Sequence, residues 1–260
     1  DIINLSVLIP KLEKKFGKEN ITTIHSGQHY SHLLDKIFFE ELEIENPTHF
    51  LEIGSGSQGY QTSRVIERAE SIILEHKPDI HISFSDANPS LMGIAATKNQ
   101  IKVAHIEAGM RSGDWRMPEE KNRRMVDSFA DLLFCPNEIA KFNLTNEGVD
   151  ESKILISGKL IVDVLERYEM RINASGILGK LNLEEKKYIL ATLHRPENVE
   201  DVQNLVNIIK GWELISKEFE CEIIASLHPR TIDSINKYKI KVPNLVRILE
   251  PCWVLGFFNL

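Results

Sequence analysis

Short apolar runs alternate with longer amphipathic stretches along nearly the whole chain, and this alternation restricts the fold more than any other feature. The short runs fall at 21–25, 50–53, 80–84, 101–106, 132–135, 153–156, 188–193, 222–226 and 245–249. Between them lie stretches of helical periodicity at 33–42, 62–74, 89–96, 119–130, 138–146, 161–172, 202–215 and 231–238, after an opening helix at 5–16. A strand followed by a helix cannot pair with the next strand as a hairpin; the helix returns the chain to the starting edge, so successive strands run parallel. The pattern predicts an α/β fold with parallel sheets. At 260 residues the chain exceeds the usual size of one domain. The segment 173–187 combines turn formers with charge and reads as a hinge, with one domain over 1–172 and another over 188–260.

With 42% hydrophobic residues the chain can bury substantial cores, while 31 basic against 38 acidic residues, a net charge of -7, offer nucleic acid no general attraction. Cys135, Cys221 and Cys252 are too far apart for a zinc spacing or a disulfide framework, and no metal signature occurs. No apolar run reaches the roughly 18 to 20 residues of a membrane span, and the opening residues lack the basic and apolar regions of a signal peptide. These features predict a cytoplasmic protein without metal, membrane or nucleic-acid partner. Both ends read as cut: the chain opens on a helix where a parallel sheet normally begins with a strand, and the apolar tail 250–260 has no element to bury it.

Polar residues recur just past the strand ends: Gly27, Gln28 and His29; Asp86 and Asn88; His105 and Glu107; His194 and Arg195; His228 and Arg230. That edge is where open α/β sheets bind ligands, and its use in both halves points to a ligand between two domains. Each residue also has a plainer reading, since a His or Asp at a strand end commonly caps a loop. Glu119 and Glu120, beside Pro118 in the first turn of a helix, suit the positive end of its dipole, and Arg123 and Arg124 read equally well as solvated helix positions. Gly54-Ser-Gly-Ser-Gln-Gly59 follows a strand as a phosphate loop would, but without the Gly-x-Gly-x-x-Gly spacing. In Leu193-His-Arg-Pro-Glu-Asn198, a His and an Arg precede a helix and could hold a diphosphate.

The ordered set His25-Ser-Gly-Gln-His-Tyr30, His105-Ile-Glu-Ala-Gly-Met-Arg-Ser112, Met117-Pro-Glu-Glu-Lys-Asn-Arg123 and Thr192-Leu-His-Arg-Pro-Glu-Asn198 resembles the non-hydrolysing UDP-N-acetylglucosamine 2-epimerases over almost the whole chain. The resemblance implies a glycosyltransferase B-type architecture of two Rossmann-like domains, the second incomplete here, acting as a homodimer on a UDP-sugar without a cofactor. By motif, Asp86, Glu107 and Glu119 match the acidic catalytic positions, and Gln28, His194, Arg111 and Arg123 the substrate-binding ones. Two departures stand out. Ser85-Asp86-Ala87 replaces the usual Gly-Asp-Thr, and the family's Gly-Thr-Arg-Pro-Glu loop and its C-terminal nucleotide-binding segments are missing.

The implied chemistry explains the carboxylates. The C2 proton is not next to a carbonyl, so the family eliminates UDP from C1 as C2 is deprotonated, forming a glycal, and then returns UDP with a proton delivered to the other face. Acid and base groups on both faces and a cationic grip on the diphosphate are required. Three functions remain open at this level: a C2 epimerase serving cell-surface polysaccharide synthesis, a B-type glycosyltransferase, or an inactive epimerase-derived fragment. The missing segments lead to the expectation that the 260-residue chain alone is inactive and poorly soluble.

Overall fold

A computed structural model describes residues 2–27, 38–249 and 254–260. The chain divides into two compact units, Asp1–Arg167 and Tyr168–Leu260. The first contains α1 (Ile2–Phe16), β1 (Ile24–His25), β2 (His49–Phe50), α2 (Gln58–His76), β3 (Ile80–Phe84), α3 (Met92–Lys98), β4 (Lys102–Ile106), α4 (Pro118–Phe129), β5 (Leu132–Cys135), α5 (Glu138–Asn146) and β6 (Ile154–Ile156). Helix α6 (Leu160–Asn173) carries the chain across the division. The second unit continues with α7 (Ile177–Leu181), β7 (Tyr188–Leu193), α8 (Pro196–Val199), α9 (Val202–Glu218), β8 (Glu222–Leu227), α10 (Pro229–Lys237), β9 (Val246–Leu249) and α11 (Val254–Phe258).

Every strand pair is parallel, as the alternation requires. The first unit holds a two-stranded sheet, β1-β2, and a four-stranded sheet in the order β3-β4-β5-β6; the second holds β7-β8-β9. Within each sheet, strands therefore pair in sequence order. The β1-β2 pairing continues beyond the formal strands, since the amides of Leu51, Ile53 and Gly54 donate to the carbonyls of His25, Ser26 and Gly27. Helices cover the sheets with apolar faces. Val65, Ala69 and Ile73 of α2, Ala95 and Ala96 of α3 and Ala140 and Leu144 of α5 share a core with Val103, Leu133 and Cys135 from the strands. In the second unit Leu205 and Ile209 of α9 and Ile235 of α10 pack with Ile223, Ala225, Leu227 and Val246.

The opening helix starts three residues earlier than its periodicity predicts, although Pro10 lies inside it. Proline has no N–H to give the carbonyl four residues back. Arg167 of α6 supplies the missing donor, reaching the Ser6 carbonyl at 3.3 Å, and Lys11 pairs with Asp163 at 2.9 Å.

One expectation fails here. The apolar tail was expected to lie unburied, yet α11 buries Leu255, and a Cβ at Gly256 would lie in ordinary contact with Ile177. Polar ties hold the turn after it: the Tyr188 hydroxyl donates to the Leu260 carbonyl, and the Asn259 amide to Ser175 Oγ at 2.8 Å. The segment 173–187, read as a hinge, contains α7.

Gly109 shows how tightly the loop after β4 is seated. Its φ is +76°, and a Cβ there would collide with the Ala140 carbonyl on α5. Gly148, with φ +87°, faces open space. Both Gly→Ala changes incur left-handed strain, about 1–2 kcal/mol, but only Gly109→Ala adds a backbone collision. Urea titration should find Gly109→Ala less stable than Gly148→Ala by about 2 kcal/mol or more.

Candidate active site

Beyond the carboxyl ends of β3 and β4 the chain places acids on adjacent strands. Phe84 pairs with Ile106, and the Ser85 amide donates to the Ile106 carbonyl at 3.0 Å, so Asp86 and Glu107 emerge side by side at one sheet edge. Ser85 and Glu107 both hold left-handed backbone, φ +61° and +67°, a conformation costly for a residue with a Cβ and found most often where surrounding contacts enforce it. The usual glycine of the family pattern would be at ease where Ser85 stands.

Helix α4 delivers the rest. Pro118 starts it, and its buried face is polar: Glu120, Arg123 and Asp127 lie at the spacing normally filled by core residues, with Asn122 and Val126 beside them. Arg123 donates to the Asp86 carboxylate from one nitrogen and to Glu120 from another at 2.8 Å. Asn122 holds the neighbouring loop, donating to the Asp86 carbonyl at 2.9 Å and to Asn88 at 3.1 Å. Asn88 in turn donates to Gln61 of α2 at 3.2 Å.

Glu120, 0% exposed, also accepts from the Ser112 amide at 2.8 Å, the Ser112 hydroxyl at 3.0 Å and Arg124 Nε at 2.9 Å. Burial alone would push this carboxyl up; the Ser112 amide and the Arg124, Ser112 and Arg123 donors together outweigh it and hold the pKa down at about 2. Arg124 continues to Glu147 at 2.8 Å, while its guanidinium lies 4.8 Å from the Trp115 ring centroid. Glu147 receives Arg111 through two nitrogens at 2.9 and 2.7 Å, and Arg111 passes to Asp127 at 2.7 Å. Although burial works against the charged form of Arg111, its contacts with Glu147 and Asp127 dominate and raise its pKa further. The Arg111 hydrogen bond likewise holds the Glu147 carboxyl below its ordinary value.

The seven motif residues thus stand in different surroundings. Asp86 is engaged by Arg123, and Arg111 and Arg123 are almost wholly occupied by internal acids rather than presented to solvent. Arg123 is therefore not the solvated helix position that its charge run suggests, and Arg124 is only partly exposed. Glu107 and Glu119 are half-buried and have no hydrogen bond or ion pair among the described residues. Glu119 precedes Arg123 by one helical turn. Gln28 lies outside the described residues. In the second unit His194 is exposed and lines an open cavity of about 230 Å³ with Thr192, Leu193, Ser226, Leu227, His228 and Phe257. Because Leu193 pairs with Leu227, His194 and His228 follow on neighbouring strand ends. His228 caps α10, its Nδ1 accepting from the Arg230 amide at 3.2 Å. Among the described residues no group of three His, Cys, Asp or Glu side chains could hold a metal ion, and no helix is long and apolar enough to cross a membrane.

Reading the sequence assigned no part in the site to Glu120, Asn122, Arg124, Asp127 or Glu147. A signal was available for the first four: charged and amide side chains repeat at inward-facing spacings on a helix whose opposite side is also polar. Glu147, at the end of α5, carried none.

Comparison with known proteins places these features. A sequence profile of the UDP-N-acetylglucosamine 2-epimerase family matches residues 13–260. The chain is 41% identical, over 269 aligned positions, to UDP-N-acetylglucosamine 2-epimerase of Methanocaldococcus jannaschii, covering all of this chain and 73% of that one. It is 37% identical to UDP-2,3-diacetamido-2,3-dideoxy-D-glucuronate 2-epimerase of Pseudomonas aeruginosa over 89% of this chain and 66% of that one. The crystal structure of the Methanocaldococcus jannaschii enzyme in complex with UDP-GlcNAc and UDP superposes with a TM-score of 0.89 at 40% identity, over 99% of this chain and 72% of that one. The fold is of the glycosyltransferase B-like type.

Glu120 gives the site a pH signature. Its folded pKa lies below the unfolded value of 4.5, so its stabilisation is complete above that value and is lost as pH falls toward about 2. The shift corresponds to about 3 kcal/mol. Glu120→Gln keeps the shape but removes the charge, leaving Arg123 and Arg124 short of a partner. Urea titrations should show it about 3 kcal/mol less stable than wild type at pH 7, with a smaller further loss between pH 4.5 and 2. Equal acid slopes would show that Glu120 does not titrate as its contacts require.

Proposed function

The chain belongs to the UDP-N-acetylglucosamine 2-epimerase family, and on that premise we propose that it inverts C2 of UDP-N-acetylglucosamine or a closely related UDP-sugar by eliminating and re-adding UDP. The observation that carries the reading is the pair of acids on adjacent strand ends, Asp86 gripped by Arg123 and Glu107 without a side-chain partner among the described residues. Proton transfer needs groups free to take up and release a proton beside a fixed charge that orients them. Glu107 and Glu119 suit the first requirement; Asp86, on its guanidinium, suits the second. Elimination breaks the C2–H and C1–O bonds, placing the proton on one carboxylate and the electron pair on the departing UDP. Re-addition forms C1–O again as another carboxylic acid returns a proton to the opposite face of C2.

The diphosphate requires cationic or N–H donors as negative charge collects on it. His194, with no hydrogen bond or ion pair among the described residues, supplies a donor beside the β7 and β8 ends, and Gln28 is assigned to the sugar nucleotide by its motif. Arg111 and Arg123, matched by motif to substrate binding, act here through the acids they hold. The finer parts, a homodimer serving cell-surface polysaccharide synthesis, rest on the resemblance of the motifs, and a place in the cytoplasm on the scattered cysteines and the lack of a membrane-length apolar run in the sequence.

Incubation with UDP-N-acetylglucosamine in heavy water should place deuterium at C2. Glu107→Gln should slow that exchange by about 100-fold or more while UDP affinity changes little, because the shape is kept and only proton transfer is lost. His194→Ala should do the reverse, weakening UDP binding about tenfold or more, the loss expected for one hydrogen bond to a charged group. Sugar transfer to an acceptor without C2 deuteration would favour a glycosyltransferase instead.

A further inference from the structure

The contacts around Asp86 form a closed circuit. From its carboxylate they run through Arg123, Glu120, Arg124, Glu147, Arg111 and Asp127 to His105, and His105 returns to the carbonyl of Ser85, the residue before Asp86. His105 is 0% exposed one residue before the end of β4 and is placed in none of the chemistry above. Its Nδ1 lies 2.7 Å from Asp127 Oδ1 and its Nε2 2.9 Å from the Ser85 carbonyl oxygen. A carbonyl only accepts, so the contact with Ser85 is a donation from the Nε2–H of the ring. Asp127 is itself fixed, accepting also from the Gly109 amide at 3.2 Å.

We propose that His105, oriented by Asp127, is a positioning residue for the acid-base centre, its Nε2–H holding the Ser85 carbonyl so that the left-handed turn aims the Asp86 carboxylate. Three observations converge on this. The Ser85 turn is a conformation that needs outside support. The carbonyl His105 grips is one residue from the carboxylate, and Arg123 grips that carboxylate from the other end of the same circuit. His105 is also two residues before Glu107, so its anchoring fixes the departure of the second acid from β4. The inference rests on the epimerase reading for its kinetic consequence, though the geometry stands without it.

The two nitrogens can be separated by substitution. In the full-length protein, His105→Gln places an amide N–H near the Nε2 position and keeps a donor for Ser85, whereas His105→Asn reaches only toward Asp127. Rates of C2 exchange should be scaled to the folded fraction from denaturant titration. His105→Asn is expected to lower kcat about 100-fold, the scale of loss from a misplaced catalytic group, with KM and UDP affinity nearly unchanged, and His105→Gln to recover at least about tenfold of it. A loss of stability alone would move neither kcat per folded molecule nor the difference between the variants. Equal kcat in wild type and His105→Asn, or no recovery in His105→Gln, would overturn the proposal. Should the variants not fold, the wild type decides: nitrogen-15 spectra at pH 7 must show a slowly exchanging N–H on Nε2 of the His105 ring, and its absence refutes the proposal. A wild type that exchanges no C2 proton but shows the Nε2–H signal would instead sink the epimerase reading and leave the anchoring intact.

Discussion

The first unit depends on a salt-bridge circuit that is mostly withdrawn from water. Charge is costly to bury singly, and an ion pair regains that cost only when every lone pair and proton finds a partner. Here the requirement is met by alternation: Glu120 and Glu147 each lie between two arginines, Asp127 takes Arg111, His105 and the Gly109 amide, Asp86 takes Arg123 and the Ser85 hydroxyl, and Glu120 gains two extra donors from Ser112. The circuit binds together parts of the chain far apart in sequence, joining the ends of β3 and β4, the loop 107–117, α4 and the end of α5. Loosening any member leaves an uncompensated charge on its neighbours, so the loop after Glu107 is held by electrostatics where an apolar loop would be held by packing.

That arrangement divides the polar residues into those that build and those that remain available. Arg111, Arg123, Arg124, Glu120, Asp127 and His105 spend their hydrogen-bonding capacity inside the protein. Glu107 and Glu119 keep theirs, standing on strained or helical backbone beside the circuit without entering it. The second unit repeats the contrast in smaller form: His228 turns its Nδ1 back to cap α10, while its neighbour His194 faces an open cavity. Side chains fully occupied by the fold cannot easily change partner during a reaction; side chains without partners can, and a rigid surround keeps them where they are needed.

Much of the architecture was legible in advance. Strands β3, β5 and β7 and helix α5 fall where the hydrophobic pattern puts them, because an apolar run flanked by turn formers has few other uses. The strand-end positions of Asp86, Glu107 and His194 were equally visible. The errors have physical causes. The opening helix extends through Pro10 because a distant arginine satisfies the freed carbonyl, which no local rule can anticipate. The end of the apolar tail, 254–260, is covered because α7 and β7 lie beneath it. Arg123 looked solvated because a charge run on a helix usually is, and its burial depends on acids 3 and 37 residues away.

What the sequence determined by itself is the parallel α/β class, the placing of acids and histidines at strand ends and, through its ordered motifs, the family. Those properties follow from periodicity and from local spacing, which are carried by neighbours along the chain. Only the tertiary structure decided which of the charged residues are partners of one another. Glu119 and Glu120 are adjacent and chemically the same, yet one has no side-chain partner among the described residues and the other accepts from Ser112, Arg123 and Arg124. The difference is one helical step of about 100°, which turns one carboxylate toward the buried loop and leaves the other outside it, and the direction of that step has meaning only once the loop and the sheet edge are folded against the helix.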